Sequence, residues 1–179
     1  MPEPGSPGGE VAVLVAVQSA LAERPGVLTV ARGMSHFGEH SIGWLAVSAL
    51  GALLQPARRR QWITAGAGAF AAHAAAVLIK RVVRRPRPHD PAVVVNVGVP
   101  SKLSFPSAHA TSTTAAAILM KQATGLPLPV VLVPPMALSR MVLGVHYPSD
   151  VIAGVVVGAA VAKGIAVLAS RFDGRGVGH

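Results

Sequence analysis

Three polar clusters decide how this chain is read: Lys80-Arg81-Val82-Val83-Arg84-Arg85-Pro86-Arg87-Pro88, Phe105-Pro106-Ser107-Ala108-His109 and Ser139-Arg140-Met141-Val142-Leu143-Gly144-Val145-His146-Tyr147-Pro148-Ser149-Asp150. Apolar segments long enough to cross a bilayer separate them. The expected fold is therefore all-α, a polytopic transmembrane helix bundle that gathers the three clusters at one membrane face. Together they supply cations, two histidines and one carboxylate, a set suited to a phosphate ester.

Working outward, the chain of 179 residues is 51% hydrophobic with only 13% charged residues, against roughly 25% in a soluble domain. Repeated Ala, Val and Gly in the apolar runs suit close packing of membrane helices. The net charge of +9 does not point to nucleic acid, because the basic residues sit between apolar runs and form no stripe on a soluble helix. There is no cysteine, so neither a disulfide framework nor a thiolate site is available.

Trp62 to Ile79 is the clearest span, with Trp62 placed as an interfacial anchor. Ser41 to Leu54, Ser107 to Met120, Leu126 to Leu138 and Val151 to Ser170 are the others. The prolines at 127, 129, 134 and 135 make the fourth start late or kink. Val11 to Ala22 is short for a span, so the expectation is five spans, or six if it contributes one. Leu28 to Phe37 reads as a loop or partial helix, and Lys80 to Phe105 as a polar loop. Residues 1–10 read as a disordered cytoplasmic tail, 11–170 as the transmembrane domain and 171–179 as a second cytoplasmic tail. Placing Arg58-Arg59-Arg60 in the cytoplasm puts all three clusters at the outer face by alternation.

Lys80, Arg87 and Arg140 are the candidate phosphate ligands, whereas Arg81, Arg84 and Arg85 read as lipid-headgroup contacts. Pro106 and Ser107 open a helix whose free N–H groups favour an anion, with Ser107 adding a hydroxyl. His109, in the first turn, is placed to protonate a leaving alkoxide. Thr111 to Thr114 read as capping and packing. His146 and Asp150 share a face if a helix joins them; alternatively Pro148 opens the last helix with Asp150 in its first turn. Either way the carboxylate accepts from one imidazole nitrogen and the other is free for phosphorus. No second carboxylate lies near, so neither a metal nor another cofactor is expected. The mechanism that follows has His146 attack phosphorus in line, His109 serve as acid and then base, and Asp150 support the imidazolium. His36, Glu39 and His40 read as headgroup-facing or solvent-facing, and His73 as a packed helix-interface residue with the substrate path as its alternative.

Lys80-x6-Arg87-Pro88, Pro106-Ser107-Ala108-His109 and Ser139-Arg140-x5-His146-x3-Asp150, in this order, resemble the three signature motifs of the type 2 phosphatidic acid phosphatase superfamily. The resemblance covers roughly residues 57–167. It implies a six-span enzyme of the cell membrane, active at the extracytoplasmic face, that hydrolyses a lipid-linked phosphate. It assigns His146 as nucleophile, His109 as acid and Asp150 as its support, with Lys80, Arg87, Arg140, Ser107 and the Ala108 amide on the phosphate. Ala108 stands where the family usually has Gly, which would strain a backbone needing positive φ. Short, Ala/Val/Arg-rich members resemble an actinobacterial group acting on decaprenylphosphoryl-5-phosphoribose, the leading substrate. Polyprenyl diphosphate, phosphatidylglycerophosphate and phosphatidate follow. The partners expected are this substrate and membrane lipids. The rival readings are a vanadate haloperoxidase, disfavoured because those enzymes are generally soluble and larger, and a non-enzymatic binder or transporter of anionic lipid. Oligomeric state is not encoded in the motifs.

Overall fold

The computed structural model describes residues 8–174. The chain order is α1 (Gly9–Leu21), α2 (Val27–Gly38), α3 (Ile42–Leu54), α4 (Arg59–Val83), α5 (Ala108–Thr124), α6 (Leu128–Val142) and α7 (Pro148–Gly174), with short 3-10 turns before α3 and α4. Among the described residues the only extended pairing is an isolated bridge between Pro86 and Leu103. The expected all-helical membrane bundle is what the chain forms.

Every helix has one buried stripe, and the site is built at the ends of these stripes. On α4 the buried positions Ala65, Ala69, Ala72 and Ala76 recur at helical spacing, and the next step is Lys80. On α7 the stripe is Asp150, Gly154, Gly158 and Ala162. On α6 it is Met136, Ser139, Arg140 and Val142. These three surround α5, which is buried on nearly all sides. The opposite faces carry exposed Leu53, Ile63, Phe70, Leu78, Val130, Ile152 and Val156, an apolar exterior matched to lipid. Runs 27–54, 56–83 and 148–171 are long and apolar enough to cross a membrane.

The polar content of α5 is internally satisfied. Thr111 and Thr114 hydroxyls donate to the carbonyls four residues back, at 2.8 and 2.7 Å. Thr113 Oγ1 accepts from Trp44 Nε1 at 3.2 Å. The expected packing role of this Thr-rich stretch is what it performs. Glycine lets α7 lie directly on α5: a Cβ at Gly154 would come within 2.7 Å of the Ser107 carbonyl, and one at Gly158 would clash with the Thr111 carbonyl.

Three sequence expectations are corrected. Residues 27–38 are a full helix, α2, not a loop. It runs into α3 through two consecutive residues in the left-handed region, His40 (φ 49°) and Ser41 (φ 62°), so 27–54 is one bent apolar run. Trp62 is not an interfacial anchor; it is buried against Gly51, its Nε1 donating to Gln55 at 3.1 Å. Gly9 and Glu10, expected in the tail, already belong to α1. Residues 1–7 of that tail and 175–179 of the other lie outside the described residues. The helix at 11–22 exists as α1; its 13 residues span about 20 Å.

Candidate active site

Lys80 arrives at the end of the α4 stripe and is buried. Its Nζ donates to the Leu103 and Ser104 carbonyls at 3.0 and 2.7 Å. Those carbonyls belong to the loop between α4 and α5, which thereby folds back over the helix end. Arg84, in the left-handed conformation, terminates α4 and turns the chain into this loop. Arg87 follows, its Nε donating to Ser101 O and its Nη1 to Val145 O, each at 2.7 Å. Burial pushes the Arg87 guanidinium down to about 10, opposed by the Asp150 charge, so it stays cationic near neutrality.

Ser107 caps α5, its Oγ accepting from Ala110 N–H at 3.4 Å. Ala108 and His109 form the first turn of α5, where helix N–H groups lack intrahelical partners, and both residues line the cavity described below. Ala108 is in the ordinary helical region, because the positive-φ non-glycines are His40, Ser41 and Arg84. The strain considered for Ala at this position is therefore absent. His109 donates from Nε2 to the Ser35 carbonyl at 2.9 Å. Arg140, 1% exposed, donates from Nη1 to Ser35 Oγ at 3.1 Å and from Nε to Ser139 Oγ at 3.2 Å, while its Nη2 has no protein partner.

His146 follows a turn that requires Gly144 at φ 68°, where any side chain would clash with the Val94 carbonyl. The ring is buried, and its Nε2 lies 3.2 Å from Arg87 Nη1. A guanidinium only donates, so Nε2 is the acceptor and the ring proton sits on Nδ1. Burial pushes this imidazole well below its ordinary value, and the charges of Arg87, Lys80 and Arg140 push the same way. A neutral ring with its Nε2 lone pair among three cations is the outcome.

Pro148 opens α7, so Asp150 sits in that helix's first turn. Its distance to His146 Nδ1 is 3.6 Å, an electrostatic contact longer than a hydrogen bond. The expected acceptor role is therefore unmade in this state. Asp150 Oδ2 instead accepts from Tyr147 N–H at 2.8 Å, and Oδ1 from Arg85 Nη1 at 3.0 Å. Arg85, expected at lipid headgroups, turns inward. It also donates to Ser149 Oγ at 2.6 Å and to Glu10 Oε2 at 2.5 Å, and stacks over the Tyr147 ring at 4.1 Å. Glu10 completes the closure by accepting Ser149 N–H at 2.9 Å.

Lys80, Arg87, Ala108, His109, Arg140 and His146 line one cavity of about 410 Å³. Ser107 and Asp150 stand behind its wall, joined by a bond from Ser107 N–H to Asp150 O at 2.9 Å. Sequence reasoning missed Ser35, Arg85 and Glu10. The only signal was that Ser35 and His36 interrupt an apolar run. Among the described residues no three His, Asp or Glu side chains gather for a metal; His40 packs beside His73 instead, ring centroids 5.7 Å apart.

Known proteins share the sequence and the fold. The sequence pattern of the PAP2 superfamily matches residues 61–173. A decaprenylphosphoryl-5-phosphoribose phosphatase of Mycobacterium tuberculosis (strain ATCC 25618 / H37Rv) is 73% identical over 156 residues, 87% of this chain and 88% of that protein. A protein of the same name from Mycolicibacterium smegmatis is 72% identical over 149 residues, 83% of each. The fold is shared with a transmembrane PAP2 type phosphatidylglycerolphosphate phosphatase from Bacillus subtilis at TM-score 0.67 and 19% identity, covering 92% of this chain and 86% of that one. It is shared too with Aquifex aeolicus LpxE at TM-score 0.63 and 18% identity, covering 87% and 93%.

Proposed function

Because the chain belongs to the PAP2 superfamily, we propose that it is a membrane phosphatase that converts decaprenylphosphoryl-5-phosphoribose to decaprenylphosphoryl ribose and phosphate, a step in supplying precursors for cell-wall arabinan. The observation that carries the reading is the His146 Nε2 lone pair, 3.2 Å from Arg87, in a cavity it shares with Lys80, Arg140 and His109. The substrate follows from the 73% identity to the mycobacterial phosphatase.

The terminal phosphoryl group enters the cation cradle, and Arg87 moves its donor from Nε2 to a phosphate oxygen. Lys80, Arg140 and the first N–H groups of α5 hold the other oxygens and stabilise charge on them. His146 Nε2 forms a bond to phosphorus while the bond from phosphorus to the ribose oxygen breaks. His109, taken to the imidazolium as the phosphate dianion offsets the Arg140 charge beside it, gives its Nε2 proton to the leaving oxygen, which replaces the Ser35 carbonyl as acceptor, and is left neutral. Asp150 balances the positive charge gained by the His146 ring. Water, giving a proton to His109, then attacks phosphorus, and the N–P bond breaks to release phosphate and neutral His146.

We further propose five spans, with α2 and α3 forming one and α4, α5, α6 and α7 the others, and a site facing the extracytoplasmic side; α1, whose Glu10 bonds Ser149 N–H and whose Gln18 bonds Val142 O, lies along that same face. Arg58 donates to Ala123 O, and Arg60 Nη2 to Ala169 O at 3.2 Å. This groups Arg58, Arg59, Arg60, Lys121 and Arg171 at the bundle end opposite Lys80, the arrangement of a cytoplasmic face. Residues 11–170 then form one transmembrane phosphatase unit.

The test is phosphate release by purified protein in detergent with EDTA present. Decaprenylphosphoryl-5-phosphoribose, undecaprenyl diphosphate, phosphatidylglycerophosphate and phosphatidate are compared, each with a His146→Ala control. Release from the first, resistant to EDTA and lost in the variant, is expected. Wild-type turnover by His146→Ala rejects the nucleophile, and preference for another lipid rejects the substrate.

A further inference from the structure

The cavity is larger than the cation cradle needs. A phosphoryl group has five heavy atoms, on the order of 150 Å³ at the ~30 Å³ share of a water, against the cavity's 410 Å³. The remaining wall is polar in a different way. It is formed by His36, Glu39 and His40 at the bend between α2 and α3, together with His73 and Arg81 on α4. Glu39 is the one carboxylate among the lining residues.

The bend that presents this wall is strained. His40 and Ser41 both hold the left-handed conformation, which costs a non-glycine residue about 1 kcal/mol or more. The strain delivers Glu39 and His40 to the cavity in place of a straight helix. Glu39 Oε2 lies 4.0 Å from His36 Nδ1, too far to be consumed by that contact, and the two side chains are 44% and 76% exposed. On the facing helix, His73 Nδ1 is buried with no hydrogen-bond partner. A carboxylate set opposite imidazoles, beside a phosphate cradle, offers acceptors and donors to a pair of adjacent hydroxyls. An acidic side chain is a recurrent partner of ribose hydroxyls for this reason. The same charge repels a second phosphoryl group in that place, which works against diphosphates.

We propose that Glu39, with His36, His40 and His73, forms a sugar subsite that reads the vicinal hydroxyls of a pentose between the cleaved phosphate and the lipid-bearing phosphate, with Arg81 at its edge to receive the latter's charge. The inference deepens the phosphatase reading and rests on it.

The test measures kcat/KM in detergent for wild type and Glu39→Ala on decaprenylphosphoryl-5-phosphoribose and on phosphatidate, which has no sugar. Loss of a hydrogen-bonded charged partner is expected to lower the first by about 10- to 100-fold, with the second unchanged within about twofold. Glu39→Gln, which keeps one acceptor, is expected to fall between. An equal loss on both lipids, or no loss on either, overturns the sugar subsite and leaves the phosphatase reading standing. Wild type that hydrolyses phosphatidate but not the phosphoribose lipid overturns the substrate reading and the subsite with it. Wild type that hydrolyses neither overturns both.

Discussion

Arg85→Ala tests whether the closure behind the nucleophile matters. Asp150 is fully buried, and Arg85 gives it its one charged donor, at 3.0 Å. Breaking a buried ion pair by removing one partner typically costs about 3–5 kcal/mol. The Arg85 side chain is 28% exposed and Glu10 37% exposed, so water reaches part of the gap and the Glu10 contact adds little. The expected loss is about 3 kcal/mol, a fall in apparent unfolding temperature of roughly 6–12 °C for a chain of this size. Catalysis shifts in a defined direction. Without Arg85 the Asp150 charge bears fully on His146 Nδ1 at 3.6 Å and favours the imidazolium. The acid limb of kcat/KM then moves to higher pH by about one unit, equivalent to about 1.4 kcal/mol. Thermal unfolding in detergent and a pH profile with a soluble phosphate ester read the two effects. A variant with unchanged unfolding temperature and an unmoved limb would refute the reasoning.

In the wild type, burial and then the charges of Arg87, Lys80 and Arg140 hold His146 well below 6.5, so the neutral nucleophile persists as pH falls and the acid limb of kcat/KM lies below pH 6.5; a limb above that value contradicts the site's electrostatics. The unfolded chain takes up a proton below about pH 6.5 that folded His146 refuses, so this residue's contribution makes stability fall with pH there, checked by comparing the acid-side slope with His146→Ala. Gln18→Leu removes three bonds that tie α1 to the loop and to α6, with Val94 O at 2.6 Å, Val142 O at 3.1 Å and Val94 N–H at 3.0 Å; a loss of about 2–4 kcal/mol in detergent unfolding is expected. Gly158→Ala, whose Cβ would meet the Thr111 carbonyl, is expected to cost about 1–3 kcal/mol, whereas Gly164→Ala, which meets nothing, serves as a neutral control in the same assay.

The sequence made the site legible because its residues lie at the ends of regular patterns. Lys80 completes the Ala stripe of α4, Ser107 is a helix cap after proline, and Asp150 is the lone acid in a long apolar stretch. What escaped was of two kinds. Residues 27–38 mix Thr29, Arg32, Ser35 and His36 into a weakly apolar run, so neither length nor hydropathy marked a helix that only packing stabilises. The pairing of Glu10 with Arg85 joins positions 75 residues apart, and no spacing rule reaches across that separation. Arg85 looked like its neighbours Arg81 and Arg84; only the turn after α4 distinguishes the side chain that points inward. Trp62 was misread because its place at a helix start suits an interface equally well as a pocket against Gly51.

The central position of α5 bears on how the protein is made. Three runs, 27–54, 56–83 and 148–171, are apolar and long enough to enter a bilayer unaided, and α5, with Thr111 to Thr114 at its heart, is not among them. Its hydroxyls are silenced by its own carbonyls and its seams are filled by α4 and α7, the latter synthesised last. During biosynthesis the helix that carries Ser107 and His109 therefore has to be sheltered, by α4 or by the insertion machinery, until α7 emerges and lays Gly154 and Gly158 against it. Assembly of the catalytic centre is thus coupled to completion of the chain, and a ribosome-bound fragment ending before α7 would hold the nucleophile His146 without the helix contacts that place it.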